Sequence, residues 1–155
     1  MAVYSCDTSS FLDAWIRHYP PDTFPGVWEQ IGSLVAQGQI LFIDEVVEEL
    51  GRKDDGAYEW VAARPASIVS IDGPIQDAVT SLLRDHQRML DTRRNKSGAD
   101  PFVIALAQVR GCSVLSSERS TGSLRRPKIP DVCEAVGVPC VDPLKMFRAE
   151  GLRFR

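Results

Sequence analysis

The sequence contains no apolar run long enough for a membrane-spanning helix, and its start lacks a basic region leading into an apolar signal segment. The expectation is a cytoplasmic protein without a membrane partner. No C-x-x-C pair occurs among the four cysteines, Cys6, Cys112, Cys133 and Cys140. Missing ligand spacing disfavours zinc, and three of these residues adjoin apolar strand-like segments, where a free thiol behaves as a small hydrophobe. Only two histidines are present, His18 in a proline-rich turn and His86 on a polar helical face. Neither has a companion at metal or triad spacing, so both read as surface residues. A basic excess is absent too: the net charge of -3 argues against a generic nucleic-acid coat. Internal repeats and low-complexity tracts are also missing.

What charge there is lies unevenly. From Arg119 to Arg155, eight Lys/Arg stand against four Asp/Glu, whereas the remaining residues carry ten against seventeen. An acidic centre beside a basic rim fits that split, and so does a solvated, slightly basic C-terminal surface. With 155 residues and 44% hydrophobic content, the chain suffices for one packed core, and a single domain over 1–155 is expected.

Ala2 to Cys6 reads as a short buried strand, followed from Ser9 to Ile16 by a helix opening on hydroxyl caps. After Pro20, Pro21, Pro25 and Gly26, the spacing of Val27, Trp28, Ile31, Leu34 and Val35 predicts a second helix stopped near Gly38. "ILFI" (40–43) has the all-apolar character of a strand buried on both faces, and "DEVVEEL" follows as a helix that Asp44 would cap. Gly51 to Gly56 reads as a charged break before a short helix "AYEWVAARP", and "SIVSI" as a strand or extended loop. Asp72-Gly73-Pro74 starts a long amphipathic helix whose stripe runs through Leu90. "SGADPFVIALAQVRG" is a helix with Asp100 as its cap, Pro101 at its first position and Gly111 at its close. "CSVLS" and "VPCV" complete the strands, with "PDVCEAV" as a helix between them and "PLKMF" as a final helical turn. Strands alternating with helices predict an α/β sandwich around a mostly parallel sheet, whose functional groups gather outside the carboxyl ends of the strands.

Four acidic positions fall where that rule directs attention. Asp7 follows the first strand, in "CDTSS"; Glu45, Glu48 and Glu49 follow the second; Asp100 opens an apolar helix; Glu118 follows "SVLS". Singly, each has an ordinary explanation as a cap or a solvated charge. Together at one sheet edge they would repel one another unless a cation neutralised them. Hard oxygen ligands suit Mg²⁺ or Mn²⁺, and such an ion beside carboxylates suits hydrolysis of a phosphodiester.

The stretches "YSCDTSSFLD", "VVEELGR", "ADPFVIALAQVRGCSVLSSE" and "KIPDVCEAVGVPCVDPLKMF", in this order over almost the whole chain, resemble the PIN-domain family. The likeness is to its PIN-like bacterial group found beside helix-turn-helix antitoxins and related to VapC-type toxins. The resemblance implies a three-layer α/β/α sandwich and a metal-dependent endoribonuclease acting as a toxin. Asp7, Glu49, Asp100 and Glu118 would then be catalytic and metal-binding, with Mg²⁺ or Mn²⁺ as cofactor. Glu45 and Glu48 are the alternatives to Glu49, and Asp131 an outside alternative to Glu118. Thr8 or Ser9 would hold the first carboxylate or a metal-bound water, with Ser117 in support. Many PIN domains carry Thr or Ser followed by an acidic pair after the late strand, where this chain reads "SVLSSERSTG", so the fourth acid departs from the pattern. RNA would be the substrate, with Arg93, Arg94, Lys96, Arg119, Arg125, Arg126 and Lys128 as backbone-binding candidates. The implied partner is a helix-turn-helix antitoxin, whose acidic tail Arg125 and Arg126 could equally bind.

Other readings compete. A PIN-like module with a weakened acidic pocket would act by binding RNA or a protein partner. A phosphatase forming phospho-aspartate at Asp7 would need a second aspartate where Ser9 stands. A homodimer could form through Trp15, Trp28 and Trp60, although tryptophans at helical spacing are more often core.

Overall fold

The structure, a computed structural model, describes residues 2–90, 98–125 and 127–155. Its frame is a five-stranded sheet in the order β3-β2-β1-β4-β5, with every pairing parallel. The strands are β1 (Tyr4–Cys6), β2 (Ile40–Ile43), β3 (Ile68–Val69), β4 (Ser113–Leu115) and β5 (Cys140–Val141). All residues of β1 and β2 are buried, as strands covered on both faces must be. Among the described residues eight α-helices flank the sheet: α1 (Thr8–Leu12), α2 (Pro25–Ala36), α3 (Asp44–Lys53), α4 (Asp55–Ala62), α5 (Gly73–Asp85), α6 (Asp100–Arg110), α7 (Ile129–Val136) and α8 (Pro143–Ala149). This is the α/β/α architecture expected of a PIN-like sandwich. No helix among the described residues is long and apolar enough to cross a membrane.

The chain builds outward from β1 to β2 and β3, then returns to add β4 and β5 on the other side of β1. Parallel crossovers are right-handed, so this reversal puts α1–α4 on one face and α5–α7 on the other. The packing agrees: α3 lies against α1 and α4, while α6 lies against α5, α7 and strands β1, β2 and β4. The reversal also makes the carboxyl end of β1 a topological switch point, where parallel sheets open a crevice.

One face of the sheet is aromatic. Phe11 stacks on Trp15 with ring centroids 5.9 Å apart and meets Trp28 and Phe42 edge-on, each at 5.4 Å. Trp60 closes the cluster under the Arg64 guanidinium, 3.9 Å above its ring. Trp28 is buried, and Trp15 and Trp60 pack against the core, so the tryptophans considered as dimer contacts are interior residues. Phe42 is wholly buried, and its loss to alanine would cost about 3–5 kcal/mol.

Several boundaries differ from those the sequence predicts. The first helix is α-helical only to Leu12 and widens into a π-helix over Asp13–His18, closed by the Tyr19 amide donating to Ala14 C=O at 2.8 Å, ahead of Pro20. Asp44 and Asp100 are first helical residues rather than caps; Ile43 and Ala99 precede their helices without a side-chain bond. At that position a carboxylate still meets the positive end of the helix dipole. The charged break is shorter than expected, because α3 runs to Lys53 and Asp54 caps α4 by accepting from the Ala57 amide at 2.9 Å. Helix α5 ends at Asp85, before a 3-10 turn over Gln87–Leu90.

Candidate functional site

Asp7 stands at the carboxyl end of the central strand and is 1% exposed. Its amide donates to Leu115 C=O on β4 at 3.1 Å, which carries the ladder one residue past the strand. The side chain then turns to cap α1. Oδ1 accepts from Ser9 Oγ at 2.8 Å and the Ser10 amide at 3.0 Å, and Oδ2 accepts from Ser10 Oγ at 2.8 Å. Ser10 Oγ in turn accepts from the Ser117 amide at 2.6 Å and from Ser117 Oγ at 3.3 Å. The carboxylate of one strand is thereby tied, through one hydroxyl, to the loop leaving its neighbour β4. Thr8 differs from its neighbours: it is 2% exposed, and its Oγ1 has no hydrogen-bond partner among the described residues.

The placement of Asp100 follows from one hydrogen bond. Ser5 Oγ donates to Val103 C=O at 2.8 Å, pinning the first turn of α6 against the middle of β1. From that point Asp7 lies two strand residues toward the carboxyl edge, about 6.6 Å. Asp100 lies three helical residues in the same direction, about 4.5 Å. The two aspartates therefore both lie toward the carboxyl edge of the sheet.

Of the three glutamates on α3, Glu49 is buried at 6% exposure, Glu45 is half-buried and Glu48 is exposed. Burial, and then the neighbouring Glu48 charge, push the Glu45 carboxyl above its ordinary pKa. Helix α3 packs on α1, so its buried acid belongs to the side on which Asp7 caps. Glu118 follows β4 and is half-buried; its Oε2 accepts from the Ile129 amide at 2.9 Å, at the start of α7. Among the described residues no three His, Cys, Asp or Glu side chains are grouped closely enough to hold a metal ion. Asp7, Asp100 and Glu118 lie toward the carboxyl edge and Glu49 in the second turn of α3, and together they form no ready cage.

Asp131, the outside alternative, has a different place. Its carboxylate accepts from Ser120 Oγ, from Thr121 Oγ1 at 2.9 Å, and from the amides of Thr121, Gly122 and Lys128 at 2.7–3.1 Å. Burial pushes its pKa up, but bonds from Ser120, Lys128 and Thr121 outweigh burial and hold it well below the usual carboxylate range. The loop carrying Arg119 and Arg125 is gathered on this one side chain. Arg119, Arg125 and Lys128 are exposed, whereas Arg93, Arg94, Lys96 and Arg126 lie outside the described residues.

Ser10, the bridge, had no role in the sequence reading, and Asp131, there only an outside alternative to Glu118, is the anchor of the preceding loop. The signal for Ser10 is D-x-x-S at a strand-to-helix junction, where the third helical residue presents both an amide and a hydroxyl to the capping acid. Asp131 had the S-T-G run before it, rich in the donors a carboxylate gathers.

No curated protein matches the sequence. A family described as a domain of unknown function, DUF4411, matches residues 4–154. That span contains all five strands and every acid of the edge, so the chain belongs to the DUF4411 family.

Proposed function

We propose that the chain is a PIN-like, metal-dependent endoribonuclease that hydrolyses RNA phosphodiesters at the carboxyl edge of β1 and β4. The observation that carries this reading is the buried Asp7 carboxylate at the switch point of a parallel sheet, oriented by Ser9 and Ser10 and tied to the β4 loop through Ser117. A carboxylate has about four acceptor sites. Three are taken here, which leaves capacity on Oδ2 for a cation.

The donor chemistry fits a hard ion: the acids offer only oxygen, and no histidine belongs to this edge. Asp7, Asp100, Glu49 and Glu118 would hold Mg²⁺ or Mn²⁺, which when bound would activate water and offset charge on the phosphate. Ser9 and Ser10 keep Asp7 in one rotamer and its charge in place, while Ser117 fixes the distance between the two strand ends. Arg119, Arg125 and Lys128 would meet the RNA backbone without reading its sequence. By the resemblance to the VapC-related group, the biological role is that of a toxin restrained by a helix-turn-helix antitoxin in the cytoplasm.

A second reading is favoured by one observation. The four acids are not grouped as a ligand set, and Glu118 already accepts from the Ile129 amide. On that reading the chain is a binding module for RNA or a protein partner. The deciding experiment is cleavage of a mixed pool of structured and single-stranded RNAs with Mg²⁺, Mn²⁺ or EDTA, beside calorimetric titration of Mn²⁺. Metal-dependent cutting that disappears in Asp7→Asn and Asp100→Asn is the expected result. Variants as active as the parent would refute the site, and a folded parent that neither cuts nor binds Mn²⁺ would establish the binding module.

A further inference from the structure

A polar cleft of about 350 Å³ opens beside the acidic edge, at the carboxyl ends of β4 and β5. Ser116, Glu118 and Ser120 form its near wall, and α8 forms the far wall with Leu144, Lys145 and Arg148. Its volume lies at the lower end of the range of small-molecule sites, where a single nucleotide belongs.

The charges in this cleft are unequally engaged. Glu118 Oε2 accepts from the Ile129 amide at 2.9 Å, and Asp142 Oδ1 accepts from the Lys145 amide at 2.8 Å, so both acids are turned onto helix starts. Lys145 and Arg148 are exposed, and among the described residues neither has an ion-pair partner. Three residues apart on one helix, they project from the same face. Leu144 beside them is 53% exposed, an apolar surface that packing does not explain. Two unpaired cations next to an apolar side chain match the two halves of a nucleotide, phosphate and base. An acidic peptide would answer the cations but not the depth of the cleft or its continuity with Ser116 and Glu118.

We propose that this cleft seats one nucleotide of a single-stranded RNA beside the scissile position, with Lys145 and Arg148 on phosphate oxygens and Leu144 against the base. The inference rests on RNA as the substrate and adds a subsite outside the acidic edge. Neither cation is among the backbone-binding candidates read from the sequence, because only the fold turns α8 toward β4.

The test is binding of a short fluorescein-labelled single-stranded RNA, in EDTA, over a salt series, by the full chain and by Lys145→Gln, Arg148→Gln and the double variant. Arg84→Gln, on α5, serves as control. Each single cleft variant is expected to weaken binding several-fold and to flatten the plot of log Kd against log salt by about 0.7, and the double variant by about 1.4. Cleft variants that bind like Arg84→Gln would overturn the subsite, and so would a parent that binds no RNA. Cleavage with Mn²⁺ separates the two proposals. Cutting that survives unchanged beside unaltered binding removes only the subsite, while cleft-dependent binding without cutting removes only the nuclease.

Discussion

Asp7 and Asp131 are both buried aspartates wrapped by side-chain hydroxyls and backbone amides, yet their carboxylates are filled to different extents. Asp131 draws its donors from Ser120, Thr121, Gly122 and Lys128, and its two oxygens are filled by residues of the loop that precedes α7. Asp7 has three donors, and its Oδ2 has only Ser10 Oγ. Asp131 lies in the first turn of α7, Asp7 where parallel strands diverge. If Asp7 is the chemical residue of the proposed nuclease, burial and hydrogen bonding do not separate it from a structural carboxylate. What would separate them is the acceptor capacity left over on Asp7 at a crevice.

The sharpest way to break this comparison is to neutralise each aspartate without changing its shape. Asp7→Asn is expected to lower RNA cleavage beyond the roughly 10–100-fold cost of losing an outer-shell partner, with a stability loss of only about 1–2 kcal/mol. Asp131→Asn is expected to do the reverse. An amide NH₂ would face the donors of the loop, so unfolding by urea should register a loss of about 3 kcal/mol. Melting should fall by roughly 6–12 °C, with cleavage per folded molecule changed little. Equal losses of activity in both variants would erase the distinction. The pH dependence supplies a second readout. Asp131 has its folded pKa depressed below the unfolded value of about 3.9, so its stabilisation is complete above that value and is lost as pH falls. The parent's stability advantage over Asp131→Asn should therefore shrink from about pH 5 downward.

Periodicity made the frame legible: "ILFI" is the strand and the apolar run after Asp100 is the helix, because fully buried strands and helical stripes leave distinct patterns. The placement of Asp7 and Glu118 was legible for the same reason, since both follow such strands. Capping was less so. Asp44 and Asp100 look like caps but lie inside their helices, since one residue's φ/ψ at the boundary decides the matter and no side-chain pattern encodes it. The widened turn at Asp13–His18 was hidden because its helical period still resembles an α-helix. Partners from distant strands were hidden altogether. The Ser10–Ser117 bond depends on β1 and β4 being neighbours, which strand order alone determines, and the Glu118–Ile129 bond on how the loop after β4 folds back to the start of α7.

A smaller intervention removes the bridge and keeps the charge. Ser10→Ala deprives Asp7 Oδ2 of its donor and the Ser117 amide of its acceptor. Cleavage should fall about 10–100-fold together with Mn²⁺ affinity, and Ser10→Thr should recover part of both. A lower melting temperature with unchanged Mn²⁺ affinity would make Ser10 a structural tie only.

The smallest expected effect lies next door and has the opposite sign. Thr8 Oγ1 is buried beside Asp7 without a partner, and an unanswered hydroxyl costs about 1–3 kcal/mol. Thr8→Val keeps the shape and removes that cost, so melting should rise by a few degrees. Unsatisfied buried groups that persist in native proteins tend to mark sites where chemistry needs them. Cleavage should accordingly drop several-fold even as the protein becomes more stable, a combination that no packing role produces. A stabilised variant with full activity would instead put Thr8 with Asp131, among the polar residues of the fold, and would leave Ser9 and Ser10 as the hydroxyls that prepare Asp7.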